Sequence, residues 1–556
     1  MENRKYALRF SLIFLVLIAC LLVFSVRLIW IQVFWADHLA RLAQKQHRHL
    51  VELEPVRGAI YDRKMRPLAF NVPVYSLFAN PKMMTISDKQ QAVRQLSILL
   101  SMDPHVLEED LGRDRYFVWL KRKLSPELAE KIKQMQIKGL GFRKESRRSY
   151  PAAHLAAHVI GFAGIDNEGL EGLELFYNKE LKGKPGYMRI LRDAHQRELI
   201  IDDAFVPPHD GLHLVLTIDE TVQYIAEQAL EKAYQKYQAQ SASIIVMDTR
   251  TGEILALANR PTYNLENYAA ASPLSRTNRA MSYVYEPGSV FKVVTAVAAL
   301  EEGRFSEKDK IFCENGRYKI ANNILTDHHP YGMLTFNQVF GFSSNIGVAK
   351  IAQRLGPDII YKYGRRLRFG IKTGMDLQGE VSGWLKAPSL WSKTTIGAIP
   401  IGYEVTVTPL QLVCMMTAIA NKGVYLRPFV VKYIKNSGDQ IIKSFEPQTV
   451  DRVVSEETAR RVTEILKGVV EEGTGQHARI QGVEVAGKTG TARKVIQGSY
   501  SEGKYYATFA GFAPADNPRV AVIVVVDEPH PSYFGGTVAA PVFKEVVENA
   551  LKYLEN

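Results

Sequence analysis

Cysteines, long apolar runs and internal repeats are scarce or absent in this chain of 556 residues. Only three cysteines occur, and Cys313 and Cys414 lie in or beside apolar stretches, so we expect no disulfide framework. The lack of repeats excludes a solenoid, and no low-complexity linker separates flexibly tethered modules. The net charge is +12, yet no long basic run occurs, which indicates a solvated basic surface and no nucleic-acid partner.

One apolar stretch is long enough to span a membrane. Residues Phe10 to Val26 carry no charge, and with the apolar residues that follow they approach the roughly 20 residues of a spanning helix. Because basic residues precede this stretch, we expect residues 1–9 in the cytoplasm, residues 10–33 as a single anchor, and the rest of the chain outside the cytoplasmic membrane. The stretch continues beyond Cys20, which favours a retained anchor over lipoprotein processing or a cleaved signal.

Three short motifs point to nucleophilic chemistry. They are S-x-x-K at Ser289–Lys292, S-x-N at Ser343–Asn345 and K-T-G-T at Lys488–Thr491. The apolar run Val290 to Leu300 predicts a buried helix, with Pro and Gly just before Ser289 as start signals. A serine is unreactive until a base removes its proton, and Lys292 lies one helical turn from Ser289 on the same face. The pattern predicts Ser289 as the nucleophile and Lys292 as its base.

Each motif has a competitor elsewhere in the chain. A second S-x-x-K, Ser501–Lys504, lies beside a strand-like run, and a second K-T-G, at Lys372, lies in a turn-rich segment that we interpret as a loop. Residues Gly482–Thr489 match the phosphate-binding pattern G-x-x-x-x-G-K-T, which needs a helix opening at its lysine. Gly490 interrupts any such helix, and the preceding residues alternate like an edge strand, so we reject a nucleotide site.

Metal ligation has weak support in the sequence. His154 and His158 have the spacing of a helical zinc pair, but no glutamate follows His154 and no third ligand is near. We therefore expect neither a metal nor another cofactor.

The order of predicted elements indicates an α+β fold. A hairpin is expected from strands at 241–247 and 253–258, and later strands at 483–490, 506–512 and 519–526. A mostly helical section is expected over residues 276–473, and a terminal amphipathic helix over 540–554. Two early and three late strands with helices between them indicate an antiparallel sheet that is covered by helices.

The chain resembles the class B penicillin-binding proteins along nearly its whole length. Besides the three motifs, the resemblance rests on these segments: Asn278–Ala280, Glu286–Gly288, Gly402–Gln411, Glu472–Gly475, Val485–Ala492, Arg57–Arg63, Arg148–Pro151 and Gly169–Glu174. It implies an N-terminal transmembrane helix, an elongated pedestal domain at 37–208 and a transpeptidase domain of the serine β-lactamase type at 211–556. One departure is Met65, where the family has a glycine, and it puts the local turn of the pedestal in doubt.

The resemblance also implies an activity and roles for the motif residues. The expected reaction is D,D-transpeptidation of peptidoglycan stem peptides through a serine acyl-enzyme, in a protein that binds β-lactams. The implied catalytic residues are Ser289, Lys292, Ser343, Asn345 and Lys488, and the implied substrate-binding residues are Thr489, Gly490 and Thr491.

The resemblance fits more than one cellular role. The compact pedestal and the exit from the membrane at Arg27–Gln32 favour the septal, FtsI-type branch. The resemblance then implies a SEDS-family glycan polymerase (FtsW) and other division proteins as partners. An elongation enzyme working with RodA remains an alternative. So do a β-lactam-hydrolysing enzyme, a β-lactam sensor and a scaffold without turnover.

Overall fold

The computed structural model describes residues 2–39, 48–192 and 198–555, and they form two compact units. The first unit combines Met1–Val56 with Gly183–Asp210, and the second combines Arg57–Lys182 with Gly211–Asn556.

The first unit contains the apolar helix and one small sheet. The helix Glu2–Ile29 continues as a π-helical turn, Trp30–Phe34, and its part Leu8–Phe34 is long and apolar enough to cross a membrane. The predicted anchor at residues 10–33 lies within that part. The sheet is antiparallel and three-stranded, in the order Arg48–Leu53, Gly186–Arg192, Glu198–Val206.

A five-stranded antiparallel sheet organises the second unit. Its order is Ile254–Arg260, Ser241–Asp248, Val520–Asp527, Ser499–Ala513, Ala486–Ile496. The predicted early hairpin and the three late strands are confirmed. The first late strand begins at residue 486, later than expected, and continues past residue 490, whereas the second begins at residue 499, earlier than expected. Together they form a hairpin arm, residues 493–505, which the sequence did not predict. The outermost strand, Ala486–Ile496, is called the edge strand below.

Helices cover both faces of this sheet, which confirms the α+β class. One face packs on Glu220–Lys236 and Ala540–Glu555, through alternate strand residues such as Val522 and Val524. The other face packs on Pro409–Ala420, a helix in which every residue is buried. A helix that is apolar all round belongs in the interior, so this helix is the centre of the domain core.

The section predicted to be mostly helical also contains strands, so that prediction was wrong in part. Four strand pairs occur there: Lys310–Phe312 with Met333–Thr335, Arg317–Ile320 with Asn323–Thr326, Trp384–Leu385 with Val405–Thr406, and Val424–Leu426 with Thr449–Arg452. Two further strands from the section join a seven-stranded sheet, which comprises Ile441–Ser444, Val431–Lys435, His213–Leu216, Ile60–Tyr61, Pro67–Ala79 and Val118–Leu124 in that order, with Leu140–Ser149 beside Pro67–Ala79.

The remaining helices of the second unit range from single turns to the 16-residue helix Glu456–Glu471. The α-helices are Ile86–Leu100, Pro104–Gly112, Pro126–Gln134, Ala157–Ile160, Gly172–Phe176, Asn178–Lys182, Pro273–Arg276, Arg279–Ser282, Lys292–Glu301, Phe336–Gly341, Asn345–Leu355, Pro357–Arg366, Thr395–Ala398, Glu456–Glu471 and Gly535–Val538. The 3-10 turns are Pro81–Met83, Leu265–Ala270, Gly288–Phe291, Glu314–Gly316, Pro388–Leu390, Ile399–Ile401 and Gln476–Ala478.

The turn at Met65 is formed despite the missing glycine. Asp62 is buried, and its Oδ1 accepts hydrogen bonds from the backbone N–H groups of Lys64 and Arg66, each at 2.8 Å. Met65 adopts a φ of 66°, in the left-handed region that side chains disfavour by about 1–2 kcal/mol. The carboxylate therefore holds the turn in the conformation that a glycine would adopt without strain.

Replacing Met65 by glycine is expected to raise the free energy of unfolding by about 0.5–1 kcal/mol, because relief of the left-handed strain exceeds the extra chain entropy of glycine. Denaturant unfolding measures this change. Met65→Ala is the control, since it removes the side chain and keeps the strain, so it should bring no gain. A loss of stability in Met65→Gly would show that the contact of the Tyr433 hydroxyl with the Met65 sulfur, at 3.5 Å, outweighs the strain.

Candidate active site

Ser289 lies in the 3-10 turn Gly288–Phe291, directly before the helix Lys292–Glu301. This confirms the predicted helix and places the serine at its start. Gly288 has a φ of 54°, and a Cβ there would lie 3.1 Å from the Thr491 carbonyl oxygen. The turn that presents Ser289 therefore passes close to the edge strand.

Lys292, one helical turn after Ser289, is fully buried, with an exposed fraction of 0%. Its Nζ donates hydrogen bonds to the Ser343 carbonyl oxygen at 2.6 Å, to Ser343 Oγ at 3.1 Å and to Asn345 Oδ1 at 2.7 Å. Burial lowers the pKa of Lys292 to about 7, against the opposing effect of the Asp327 carboxylate. A large fraction of this amine is therefore neutral near pH 7 and able to accept a proton.

Ser343 stands between two lysines. Its Oγ accepts hydrogen bonds from Lys292 Nζ and from Lys488 Nζ, both at 3.1 Å. Its φ of 60° lies in the left-handed region, where a non-glycine residue persists only when its surroundings hold it. The surroundings thus hold the hydroxyl within reach of both amines, where it can pass a proton between them.

Lys488 approaches this hydroxyl from the edge strand. It is 1% exposed, and its Nζ also contacts the carbonyl oxygen and Oγ1 of Thr489, at 3.3 and 3.4 Å. Burial, and then the positive charge of Lys292, pull the pKa of Lys488 well below its usual range. A ligand carboxylate bound beside Lys488 would reverse that shift and favour the charged amine.

Asp327 is a site residue that the sequence reasoning missed. Its carboxylate accepts hydrogen bonds from Ser344 Oγ and the Asn345 backbone N–H, both at 2.5 Å, and from the Ile346 N–H at 3.0 Å. These donors are at the start of the helix Asn345–Leu355, where an anion is stabilised by the unpaired N–H groups. Asp327 therefore fixes the segment whose side chains hold Lys292.

The residues predicted to bind substrate line the edge strand. Thr489 Oγ1 lies 2.6 Å from Thr474 Oγ1, and Thr491 Oγ1 accepts a hydrogen bond from the Gly535 backbone N–H at 3.0 Å. A Cβ on Gly490 would lie 2.8 Å from the Pro287 carbonyl oxygen. The glycine thus allows the edge strand to run against the segment that leads to Ser289.

Together the three motifs meet in one place. Lys292, Ser343, Asn345 and Lys488 form one hydrogen-bonded group, with Ser289 one helical turn from Lys292. Ser289 is half-buried. Among the described residues, its hydroxyl forms no hydrogen bond with Lys292, whose Nζ binds Ser343 and Asn345. Such bonds are often formed only when a substrate is bound. A serine, a neutral lysine and a shared hydroxyl can perform acyl transfer.

The competing motifs lie elsewhere and have other geometries. Ser501 is in the strand Ser499–Ala513, and Lys504 pairs with Glu528 at 2.9 Å. The loop at Lys372 is held by Glu380, whose carboxylate accepts a hydrogen bond from the Gly374 N–H at 3.0 Å. No helix opens at Lys488, which excludes the phosphate-binding loop geometry. His158 is buried with its Nε2 2.8 Å from the Ser275 carbonyl oxygen, and burial lowers its pKa to about 4.

Comparisons with known proteins point to one family. A family model for the penicillin binding protein transpeptidase domain matches residues 242–548, and one for the penicillin-binding protein dimerisation domain matches residues 52–216. Stage V sporulation protein D of Bacillus subtilis is 35% identical over 565 residues, covering 100% of this chain and 87% of the relative. The peptidoglycan D,D-transpeptidase FtsI of Escherichia coli K12 is 33% identical over 543 residues, covering 95% and 88%.

Solved structures give the same result. Penicillin binding protein 3 of Mycobacterium tuberculosis, complexed with aztreonam, has a TM-score of 0.71 at 28% identity, covering 91% of this chain and 97% of that one. A peptidoglycan synthetase of Bifidobacterium adolescentis has a TM-score of 0.74 at 26% identity, with the same coverage.

Proposed function

Because the chain belongs to the class B penicillin-binding proteins and is a peptidoglycan D,D-transpeptidase, we propose that it cross-links stem peptides in the division septum, with Ser289 as its nucleophile. The observation that supports the catalytic part is the buried Lys292, whose pKa of about 7 suits a base at neutral pH. The septal part is supported by the relatives named FtsI. A relative named for sporulation matches equally well, so the branch needs its own test.

In the proposed reaction, Lys292 takes the proton of Ser289 as Ser289 Oγ attacks the penultimate D-Ala carbonyl of a stem pentapeptide. The C–O bond of the acyl-enzyme forms, and the C–N bond to the terminal D-Ala breaks. Ser343 relays a proton to the leaving amine, since it is hydrogen-bonded to Lys292. An amine of a neighbouring stem peptide then attacks the ester and restores the Ser289 hydroxyl.

The other motif residues would bind the substrate. Lys488, Thr489 and Thr491 are proposed to hold the substrate carboxylate, Asn345 the peptide amide, and Gly490 to leave room for its backbone. The backbone N–H groups of Ser289 and Thr491 would hold the oxyanion, each donor being worth about 3 kcal/mol in such sites. A β-lactam, which is bound by the Mycobacterium tuberculosis neighbour, would enter by the same route and stop at the acyl-enzyme.

The rate of acylation by penicillin is expected to rise with pH and to reach half of its plateau near pH 7. Only the neutral amine of Lys292 can accept the proton, and its pKa is about 7, so lowering the pH removes the active form. Stopped-flow measurement of adduct formation between pH 5 and 9 tests this. A rate that is flat across pH 7 would contradict the assignment of Lys292 as the base.

Topology and partners complete the proposal. The helix Leu8–Phe34 would anchor the chain in the cytoplasmic membrane, with the pedestal at 37–208 and the transpeptidase domain at 211–556 on the outer, extracytoplasmic side. The two family matches, to residues 52–216 and 242–548, support this division. A SEDS-family glycan polymerase of the FtsW type would be the membrane partner that supplies new strands.

The function is tested by locating the penicillin adduct and by depleting the protein. Mass spectrometry is expected to find the adduct on Ser289, and depletion is expected to give filamentous cells with blocked septa. A reporter fused after Asn556 should be active only in its exported form. An adduct on Ser501 or a cytoplasmic C-terminus would defeat the transpeptidase mechanism, whereas rounded cells or a sporulation defect alone would defeat only the septal role.

A further inference from the structure

Glu286 lies three residues before the nucleophile, and the mechanism above gives it no role. We propose that Glu286 is a positioning residue for acylation, which fastens the segment before Ser289 to the loop 402–404 and to the hairpin arm. In this position it would keep the Ser289 N–H aligned with the Thr491 N–H across the oxyanion. The inference rests on the proposed acylation of Ser289 and names a further residue on which that step depends.

One oxygen of the Glu286 carboxylate collects contacts from two other segments. Oε1 accepts a hydrogen bond from the Glu404 backbone N–H at 2.8 Å and one from the Tyr500 hydroxyl at 3.3 Å. Tyr500 belongs to the hairpin arm, and its ring meets that of Tyr403 edge-on at 5.3 Å. The carboxylate therefore connects the nucleophile segment to both the loop and the hairpin arm.

The loop that Glu286 fastens lies directly behind the nucleophile turn. Tyr285 and Val407 exchange two backbone hydrogen bonds, at 3.0 and 2.9 Å, and the Gly288 N–H donates to the Gly402 carbonyl oxygen at 3.2 Å. A Cβ on Gly402 would lie 2.0 Å from the Gly288 carbonyl oxygen. Since the edge strand packs on the same turn at Gly490, a shift of the loop would move Ser289 relative to Thr491.

The second oxygen of Glu286 distinguishes it from an ordinary structural carboxylate. Oε2 is buried and has no hydrogen-bond partner among the described residues, and burial raises the pKa of Glu286. The hydrogen bonds from the Glu404 N–H and the Tyr500 hydroxyl oppose this rise in pKa, and the charge of Glu404, which is itself paired with Lys386 at 3.0 Å, adds to it. A buried carboxyl oxygen left without a donor opposes folding, so a positioning role for the hydrogen bonds to Oε1 would explain why a side chain of this length with an accepting oxygen is kept here.

Asp376 provides a matched comparison in the same unit. It is also a buried carboxylate, and it accepts hydrogen bonds from the Val430 and Val431 N–H groups, at 2.7 and 2.9 Å, and from the Tyr177 hydroxyl at 3.3 Å. None of its partners belongs to the catalytic motifs. Asp376→Asn and Tyr177→Phe therefore report what the loss of such contacts does to stability alone.

The experiment separates the binding constant of penicillin from the rate constant of acylation by stopped-flow over a range of penicillin concentrations. Glu286→Ala is expected to lower the acylation rate constant about 100-fold, as for a lost oxyanion donor, and to leave the binding constant within about twofold. Glu286→Gln is expected to restore most of the rate, because its amide oxygen can accept the same two hydrogen bonds. Tyr500→Phe is expected to lower the rate about threefold in the wild type, a typical cost of one hydrogen bond, and not at all in Glu286→Ala.

The other outcomes would contradict either the positioning role of Glu286 or the proposed function of Ser289. If Glu286→Ala weakens binding or stability with an unchanged acylation rate constant, as Asp376→Asn should, the positioning role is overturned. If Glu286→Ala does not fold, the acylation rate constants of Tyr500→Phe and Tyr177→Phe are compared. Equal rate constants in these two variants would overturn the positioning role. If the wild type forms no adduct on Ser289, the proposed function fails, whereas a wild type that is acylated no faster than Glu286→Ala defeats only the inference.

Discussion

Replacement of Lys292 by alanine is expected to slow acylation of Ser289 by penicillin about 10²- to 10⁴-fold, the usual contribution of a general base. The serine would remain in its turn but lose the group that accepts its proton. Lys292→Arg is expected to be as inactive, because a guanidinium keeps the positive charge and does not give up a proton near neutral pH. The two variants thus show whether Lys292 acts as a base or only supplies a positive charge.

The fold is expected to survive both changes well enough for the measurement. Removing the cation at Lys292 relieves Lys488, whose pKa is lowered partly by that charge. Lys494→Ala is the control, taken from the edge strand that also carries Lys488, since Lys494 pairs with Asp527 and Glu528, each at 2.8 Å, and takes no part in the site. It should reduce the melting temperature and leave acylation unchanged. Acylation of Lys292→Ala within tenfold of the wild type would remove Lys292 from the mechanism.

Replacement of Asp327 by asparagine is expected to have two separable effects on the pH profile of acylation. The plateau should fall at least tenfold, because Ser344, Asn345 and Ile346 lose a charged acceptor, and a hydrogen bond to a charged group contributes about 1.5–3 kcal/mol. The midpoint should move below the wild-type value of about 7, because the Asp327 carboxylate favours the charged form of Lys292. Stopped-flow profiles of both proteins measure the two effects.

Asp309→Asn is the matched control for that experiment. The Asp309 carboxylate accepts hydrogen bonds from the backbone N–H and the hydroxyl of Ser306, at 2.9 and 2.7 Å, and so caps a turn outside the site. It should change neither plateau nor midpoint. An Asp327→Asn midpoint that stays in place or rises would contradict the electrostatic link to Lys292.

Local signals were sufficient for the parts of the fold that are encoded locally. The hairpin from Ser241 has its turn marked by Asp248, whose carboxylate accepts a hydrogen bond from the Arg250 N–H at 2.8 Å. Alternation along the edge strand excluded a phosphate-binding loop. The start of the nucleophile helix was likewise marked by Pro287 and Gly288, and the structure has the turn and helix there.

Long-range pairing set the limit of the sequence reasoning. The strand Val431–Lys435 was assigned to a helical section, yet it pairs with His213–Leu216 in another sheet, and no local period encodes such a partner. Asp327 was missed for the same reason, since it accepts a hydrogen bond from Ser344, which is 17 residues later in the chain and directly precedes the helix Asn345–Leu355. The motif residues themselves were found because their spacing is local, whereas the groups that hold them are distant.

Three glycines allow the backbone segments around the nucleophile turn to pack closely, and this close packing limits which substitutions β-lactams could select. A Cβ would collide with the neighbouring backbone at Gly402, at 2.0 Å, and at Gly490, at 2.8 Å, and at Gly288 the φ of 54° disfavours a side chain. We expect mutations at these positions to slow transpeptidation together with acylation by β-lactams, so that selection by β-lactams would not retain them. We therefore expect resistance through this protein to arise at side chains that border the cleft, where a substitution can affect the drug more than the substrate.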